Sequence, residues 1–269
     1  MNEVFRLEGV SFSYGGQSAL REISFTVPEG VSLAILGANG SGKSTLMKIL
    51  DGLVYPESGS VWFTGQPLTE AGLHGEFLRC FRSRVGFVFS EPDIQLFCST
   101  VIEELFFGPL QLGIERQEAE KRVSGLLDML GIRALAERAP YTLSSGEKKK
   151  AAIAAVLAVN PDVLLLDEPT NGLDPRTQVW LYELLEALKN AGKTIIMATH
   201  DLSLVQDLSD RVIVLDEAHS IAADGTAPEV LGDKDLLLRA NIIHEHAHKH
   251  GDIIHRHSHG PYSIHDEHD

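Results

Sequence analysis

Apolar and polar residues alternate across Val4-Phe5-Arg6-Leu7-Glu8 and Ile23-Ser24-Phe25-Thr26-Val27, whereas Val31-Ser32-Leu33-Ala34-Ile35-Leu36 is almost continuously apolar. A period of two predicts strands with one solvated face, so residues 4–27 read as a small antiparallel sheet. The continuous run predicts a strand buried on both faces of a parallel sheet, and Val85–Phe89, Val163–Leu166 and Thr194–Thr199 repeat it. Shorter strands are expected at Ser60–Phe63, Val212–Leu215 and Ser220–Ala222. Helical spacing at Val101, Leu105, Phe106, Val123, Leu126, Leu127 and Leu130 predicts helices inserted between strands over Thr100–Arg138. Further helices are predicted over Lys148–Val159, stopping at Asn160-Pro161, over Pro175–Lys189, and near Pro228. Residues 66–84 are polar and without period, so they read as irregular, with Arg79, Arg82 and Arg84 on a solvated face.

Between the first buried strand and the helix-forming Leu46–Leu50 lies Gly37-Ala38-Asn39-Gly40-Ser41-Gly42-Lys43-Ser44-Thr45, which fits G-x-x-x-x-G-K-[S/T]. Its glycines let the backbone wrap close to a polyphosphate with N–H groups inward, and the helix N-terminus adds partial positive charge. Lys43 is placed to reach the β- and γ-phosphates, and the Ser44 hydroxyl to help hold Mg²⁺. Nucleoside-triphosphate binding is therefore expected.

Other residues gain meaning beside that loop. The strand Val163–Leu166 ends in Asp167-Glu168, and acids at the C-terminal edge of a parallel sheet face the ligand crevice. Asp167 can hold Mg²⁺ through water and Glu168 can polarise the attacking water. His200 ends another strand, where it either approaches a γ-phosphate or is a satisfied structural histidine. Tyr14, before Gly15-Gly16, is either an exposed ring able to stack on adenine or a half-buried strand aromatic.

At 269 residues the chain can bury a full core, and its formal charge of −15 argues against nucleic acid as a partner. No apolar run approaches the roughly 18 residues of a membrane span, and Met1–Arg6 lacks the features of a signal peptide. A cytoplasmic protein follows, with any membrane role through a partner. Two distant cysteines, Cys80 and Cys98, read as reduced structural thiols.

Leu143-Ser144-Ser145-Gly146-Glu147, at a helix start, resembles the signature of ABC transporter ATPases, an element that P-loop proteins in general lack. The resemblance covers roughly residues 3–232. It implies an α/β fold with a P-loop NTPase core on a parallel sheet, an N-terminal antiparallel β-subdomain and a helical subdomain inserted at about 91–160. It also implies Mg²⁺-dependent ATP hydrolysis, adenine stacking by Tyr14, a γ-phosphate sensor at His200, and a loop at Asn171-Gly172-Leu173-Asp174 that crosses a dimer interface. Two such subunits, as a homodimer, would sandwich two ATP molecules, with Ser144, Gly146 and Glu147 serving the partner's nucleotide, at the cytoplasmic face of integral-membrane transport subunits. Glu91–Phe97, Thr100-Val101 and Phe107-Gly108-Pro109 are similar to energy-coupling-factor importers of vitamins and transition metals. Relatives carry glutamine where this chain has Ser90, a departure that either a bridging water, Glu91 or Gln95 makes good or that slows turnover. Ser145 replaces the second signature glycine.

The composition changes after Asn241: nine of the twelve histidines fall between His244 and Asp269. Periodicity vanishes, so residues 241–269 read as a tail that is disordered when unliganded, following an ATPase domain over 1–240. His244, His246, His248, His250, His255, His257 and His259 are borderline-soft ligands suited to Ni²⁺ or Co²⁺, with His265, His268 and nearby acids in reserve. An expression tag and a merely solvated tail are the other accounts of such a segment. Together these features point to the ATPase of a nickel, or cobalt, importer; a vitamin-type importer's ATPase and a soluble ABC ATPase are the alternatives.

Overall fold

The computed structural model describes residues 2–250 and 253–259, with the backbone alone from residue 244 onward. The order is β1 (Glu3–Tyr14), β2 (Gln17–Pro28), β3 (Ser32–Gly37), α1 (Lys43–Leu50), β4 (Ser58–Phe63), β5 (Gln66–Pro67), α2 (Gly75–Arg84) and β6 (Val85–Val88). The helices α3 (Val101–Gln111), α4 (Arg116–Met129) and α5 (Ser145–Leu157) then intervene before β7 (Val163–Asp167). There follow α6 (Pro175–Asn190), β8 (Thr194–Ala198), α7 (Leu202–Leu208), β9 (Arg211–Leu215), β10 (Ile221–Thr226), α8 (Ala227–Gly232), α9 (Lys234–Arg239), β11 (His244–His250) and β12 (Ile253–His259).

The strands make an antiparallel sheet ordered β2-β1-β4-β5 and a second sheet ordered β10-β9-β3-β8-β7-β6. In the second sheet every pairing is parallel except that of β10, which closes one edge antiparallel. The predicted α/β class and the division between alternating and continuous strands match this architecture: β3, β7 and β8 are buried at every position, while β1 and β2 alternate. Helix α1 packs between the two sheets, where Leu46, Met47, Ile49 and Leu50 join Phe5 and Phe63 of one sheet and Ile35 and Leu165 of the other in a single core. The opposite face of the parallel sheet is covered by α6, α7, α8 and α9. Helices α3, α4 and α5 share a third core built on Val101, Leu105, Val123, Leu127, Ala151 and Ala152.

Where residues 66–84 read as irregular, the chain folds into β5 and α2. Phe77 and Phe81, one turn apart, form an apolar face hidden among charged neighbours, and Phe81 is fully buried edge-on against Phe63 at 5.0 Å between ring centres. Arg79 stays exposed, but Arg84 pairs with Asp162 at 2.7 Å and Arg82 with Asp51 at 2.9 Å.

Asp51 caps the C-terminal end of α1, an end where the helix dipole disfavours an anion, and it is buried. Arg82 donates to both its carboxylate and its carbonyl. Burial nevertheless pushes the Asp51 carboxyl up to about 6, with Arg82 pulling the other way. A folded-state value above the unfolded one means that this group favours the fold most fully below about pH 4 and that the contribution is lost as pH rises through about 6. Asp51→Asn is expected to remove about 2 kcal/mol of the stability difference between pH 4 and pH 7, read by urea unfolding of both proteins. Parallel pH curves for wild type and variant would show that Asp51 is not held protonated.

The tail, expected to be disordered, contributes a two-stranded antiparallel ladder whose register sets His244 opposite His259, His246 opposite His257 and His248 opposite His255. Residues 251, 252 and 260–269, among them His265 and His268, lie outside the described residues, as do the side chains of the remaining tail histidines.

Candidate functional site

The loop from Gly37 to Gly42 turns sharply off the carboxyl end of β3. Gly42 takes φ of 109°, and a Cβ there would lie 2.2 Å from the Ala19 carbonyl oxygen, so no other residue fits. The turn opens a cleft of about 460 Å³ at the N-terminus of α1. Eight of the expected residues line it: Tyr14, Asn39, Gly40, Gly42, Lys43, Ser44, Thr45 and Glu168. Tyr14, the last residue of β1, is 48% exposed at the mouth of the cleft, with its ring edge-on to Phe12.

At the cleft the polar groups converge, with Asp167 and His200 outside the lining but bonded to Ser44 and Glu168, which line it. The buried Lys43 directs Nζ to the carbonyls of Gly37 (2.8 Å) and Ala38 (3.2 Å) and stands 3.7 Å from Glu168 Oε1. Ser44 Oγ donates to Asp167 Oδ1 at 3.0 Å. These two hard oxygen donors fit Mg²⁺, which keeps most of its waters and takes few protein ligands; such an ion supplies charge neutralisation at the phosphates. Burial raises the Asp167 carboxyl above its usual range, with the Ser44 bond lowering it in part. Glu168 follows with φ of +42°, strained for a non-glycine residue, and this turn brings its carboxylate back to the cleft. Its second oxygen accepts from His200 Nδ1 at 2.8 Å. Glu168 thus sits between an ammonium and an imidazole, a carboxylate able to orient and activate water.

Ser41 is buried beneath the loop and Gly37 beside it, so neither lines the cleft. Ser144, Gly146, Glu147 and Asp174 also stand apart from it. Ser144 caps α5, and Glu147 closes the capping box by accepting from Ser144 N at 2.8 Å, with Arg138 on its other oxygen. These bonds hold the Glu147 carboxyl below its usual range. Asp174 caps α6 through Thr177. A Cβ on Gly146 would lie 2.9 Å from Thr177 Oγ1, and Ser145 Oγ donates to the Gly172 carbonyl at 3.2 Å. The signature and the Asn171–Asp174 loop therefore form one surface, away from this chain's own cleft.

Three features have no signal in the sequence. Gln17, Ser18, Ala19 and His219 complete the cleft wall, and no periodicity signals His219 because it sits in the turn between β9 and β10. Gln95 is occupied elsewhere: its amide bridges Phe89 N and the Phe87 carbonyl. Near Ser90, the buried Lys149 donates to the carbonyls of Phe89 (3.1 Å) and Ser90 (2.9 Å), which ties α5 to the end of β6. Burial lowers the Lys149 ammonium to about 8 against the pull of Asp167 and Glu168. Among the described residues, no group of three or more histidine, cysteine or acidic side chains is arranged to hold a metal, and no helix is long and apolar enough to cross a membrane.

The family model described as ABC transporter matches residues 20–171. A Methanosarcina acetivorans protein described only as a putative ABC transporter ATP-binding protein is 52% identical over 256 residues, 93% of each chain. The nickel import ATP-binding protein NikO of Rhodobacter capsulatus is 48% identical over 247 residues, 90% of this chain and 97% of that one. Among solved structures, cbiO1 of Clostridium perfringens, described as part of the ABC transporter complex cbiONQ, superposes with a TM-score of 0.75 at 35% identity over 90% of this chain and 96% of that one. The phosphate loop, the paired acids after β7 and the capped signature helix thus agree with matches spanning nearly the whole chain, which belongs to the ABC transporter family as an ATP-hydrolysing subunit.

Proposed function

We propose that this chain powers uptake of a transition-metal ion, nickel foremost and cobalt second, through an integral-membrane partner. ATP binds in the cleft with adenine on Tyr14, phosphates on the loop and Lys43, and Mg²⁺ on Ser44 and Asp167. Glu168 activates the water and His200 contacts the γ-phosphate. Two copies close on two nucleotides, each cleft completed by the signature segment of the other copy and by the loop that ends in Asp174. Glu147 acts there by holding the signature helix in shape, its carboxylate being engaged within its own chain.

A membrane partner is supported by an open apolar face outside the cleft. Ile94 and Phe97 are each 67% exposed, and Phe97 stacks edge-on with Phe107, itself partly exposed, beside Leu110. Desolvating such a patch favours a docked apolar segment, which would hold the chain at the cytoplasmic face of the membrane.

The observation that carries the choice of metal is the histidine-rich segment, in a chain 48% identical to a nickel-import ATPase. The register of the β11–β12 ladder sets three histidine pairs across from one another, and imidazole suits Ni²⁺ and Co²⁺. The test is uptake of nickel, cobalt and vitamins by vesicles bearing the full transporter, with the complete chain or one ending at Asn241. ATP-dependent nickel uptake, with a metal-concentration dependence altered by truncation, is expected. Uptake of a vitamin and no metal would overturn the proposal, and unaltered metal dependence would remove the tail from it.

A further inference from the structure

His219 is fastened on three sides. Its N–H donates to the Asp216 carbonyl at 3.1 Å, its own carbonyl accepts from Arg21 N at 2.8 Å, and Ser220 is tied to the Asp216 carboxylate. The residue adopts φ of +64°, in the left-handed region that few non-glycine residues occupy and histidine occupies more readily than most. This turn delivers the imidazole, half-buried, to the wall of the cleft, where Nδ1 lies 3.3 Å from the Ser41 carbonyl oxygen of the phosphate loop. Neighbouring wall residues are Gln17, Ser18 and Ala19, on the strand that leads away from Tyr14.

That contact dictates what the other ring nitrogen can do. A carbonyl only accepts, so Nδ1 carries the proton, and in the neutral ring Nε2 is left as an acceptor. Phosphate oxygens of a nucleotide have no proton to offer it. The ribose hydroxyls do, and the ribose lies between a base stacked on Tyr14 and phosphates held on the loop.

We propose that His219 is a nucleoside-contacting residue whose Nε2 accepts a hydrogen bond from a ribose hydroxyl, so that the site favours ribonucleotides over their deoxy analogues. The proposal rests on the cleft being the ATP site. A bond of this kind between uncharged groups corresponds to about a fivefold difference in affinity.

Dissociation constants for ATP, 2′-deoxy-ATP, 3′-deoxy-ATP and inorganic tripolyphosphate, measured on the full chain and on His219→Ala and His219→Gln, provide the test. Wild type is expected to bind ATP about fivefold tighter than at least one deoxy analogue. His219→Ala should lose that preference while its tripolyphosphate affinity stays within about twofold, and His219→Gln, which keeps an acceptor, should regain part of it. A preference that survives in His219→Ala overturns the proposal. So does an equal loss of ATP and tripolyphosphate binding, which would make the imidazole a brace for the phosphate loop. Wild type failing to bind ATP would instead overturn the assignment of the cleft itself.

Discussion

Glu168→Gln is expected to lower ATP turnover by about a hundredfold or more while ATP affinity stays within about threefold. Glutamine keeps the size of the side chain and the strained turn after β7, so the cleft keeps its shape. What disappears is the carboxylate whose two oxygens face Lys43 at 3.7 Å and His200 at 2.8 Å. When phosphates engage Lys43, Oε1 is released toward the water, and the neutral amide cannot accept a proton there. Positioned general bases contribute about 10²–10⁴-fold, which sets the expected loss. Single-turnover hydrolysis beside equilibrium ATP binding reads both quantities. Turnover within about tenfold of wild type would assign the base to another group.

Lys43→Met should have the opposite signature, weakened binding. Lys43 is 5% exposed, and its ammonium faces two loop carbonyls, the Glu168 carboxylate at 3.7 Å and the charge of Asp167, partners with which a triphosphate competes. A hydrogen bond to a charged group is worth about 1.5–3 kcal/mol, so its loss should weaken ATP binding about tenfold to hundredfold. Methionine fills the same channel without a buried charge, so the thermal midpoint should hold or rise. Weakened binding with an unchanged midpoint separates loss of the phosphate contact from loss of the fold. A variant that binds ATP like wild type would contradict the placement of the phosphates.

The parts of the molecule legible in the sequence are those in which one local rule dominates. Continuous apolar runs predicted β3, β6, β7 and β8 because a strand covered on both faces has no polar side to show. The loop Gly37–Thr45 was legible because close approach to a phosphate demands glycine at fixed spacing. Helix α2 was hidden because only Phe77, Leu78 and Phe81 of its ten residues reach the core. Helix α7 did carry a signal, Asp201 followed by apolar residues at 202, 204, 205 and 208, and Asp201 indeed accepts from Ser203 N and Leu204 N. Contacts that depend on tertiary placement were not legible. Ser90 gave no hint that Lys149 would hold its carbonyl from α5, and Gln95 gave none that its amide would be spent on β6 and its end. His219 reaches the cleft only because β9 and β10 turn beside the phosphate loop, bringing it to a carbonyl 178 positions away in the chain.

One chain holds half of each ATP site in the proposed assembly, since the signature surface at Ser144–Gly146 stands apart from the cleft of its own chain. Sedimentation of the Glu168→Gln protein with Mg²⁺ and saturating ATP tests that division most directly. A dimer carrying two ATP molecules, reverting to monomer when nucleotide is removed, is the predicted result. A monomer that stays a monomer with its ATP bound would contradict it.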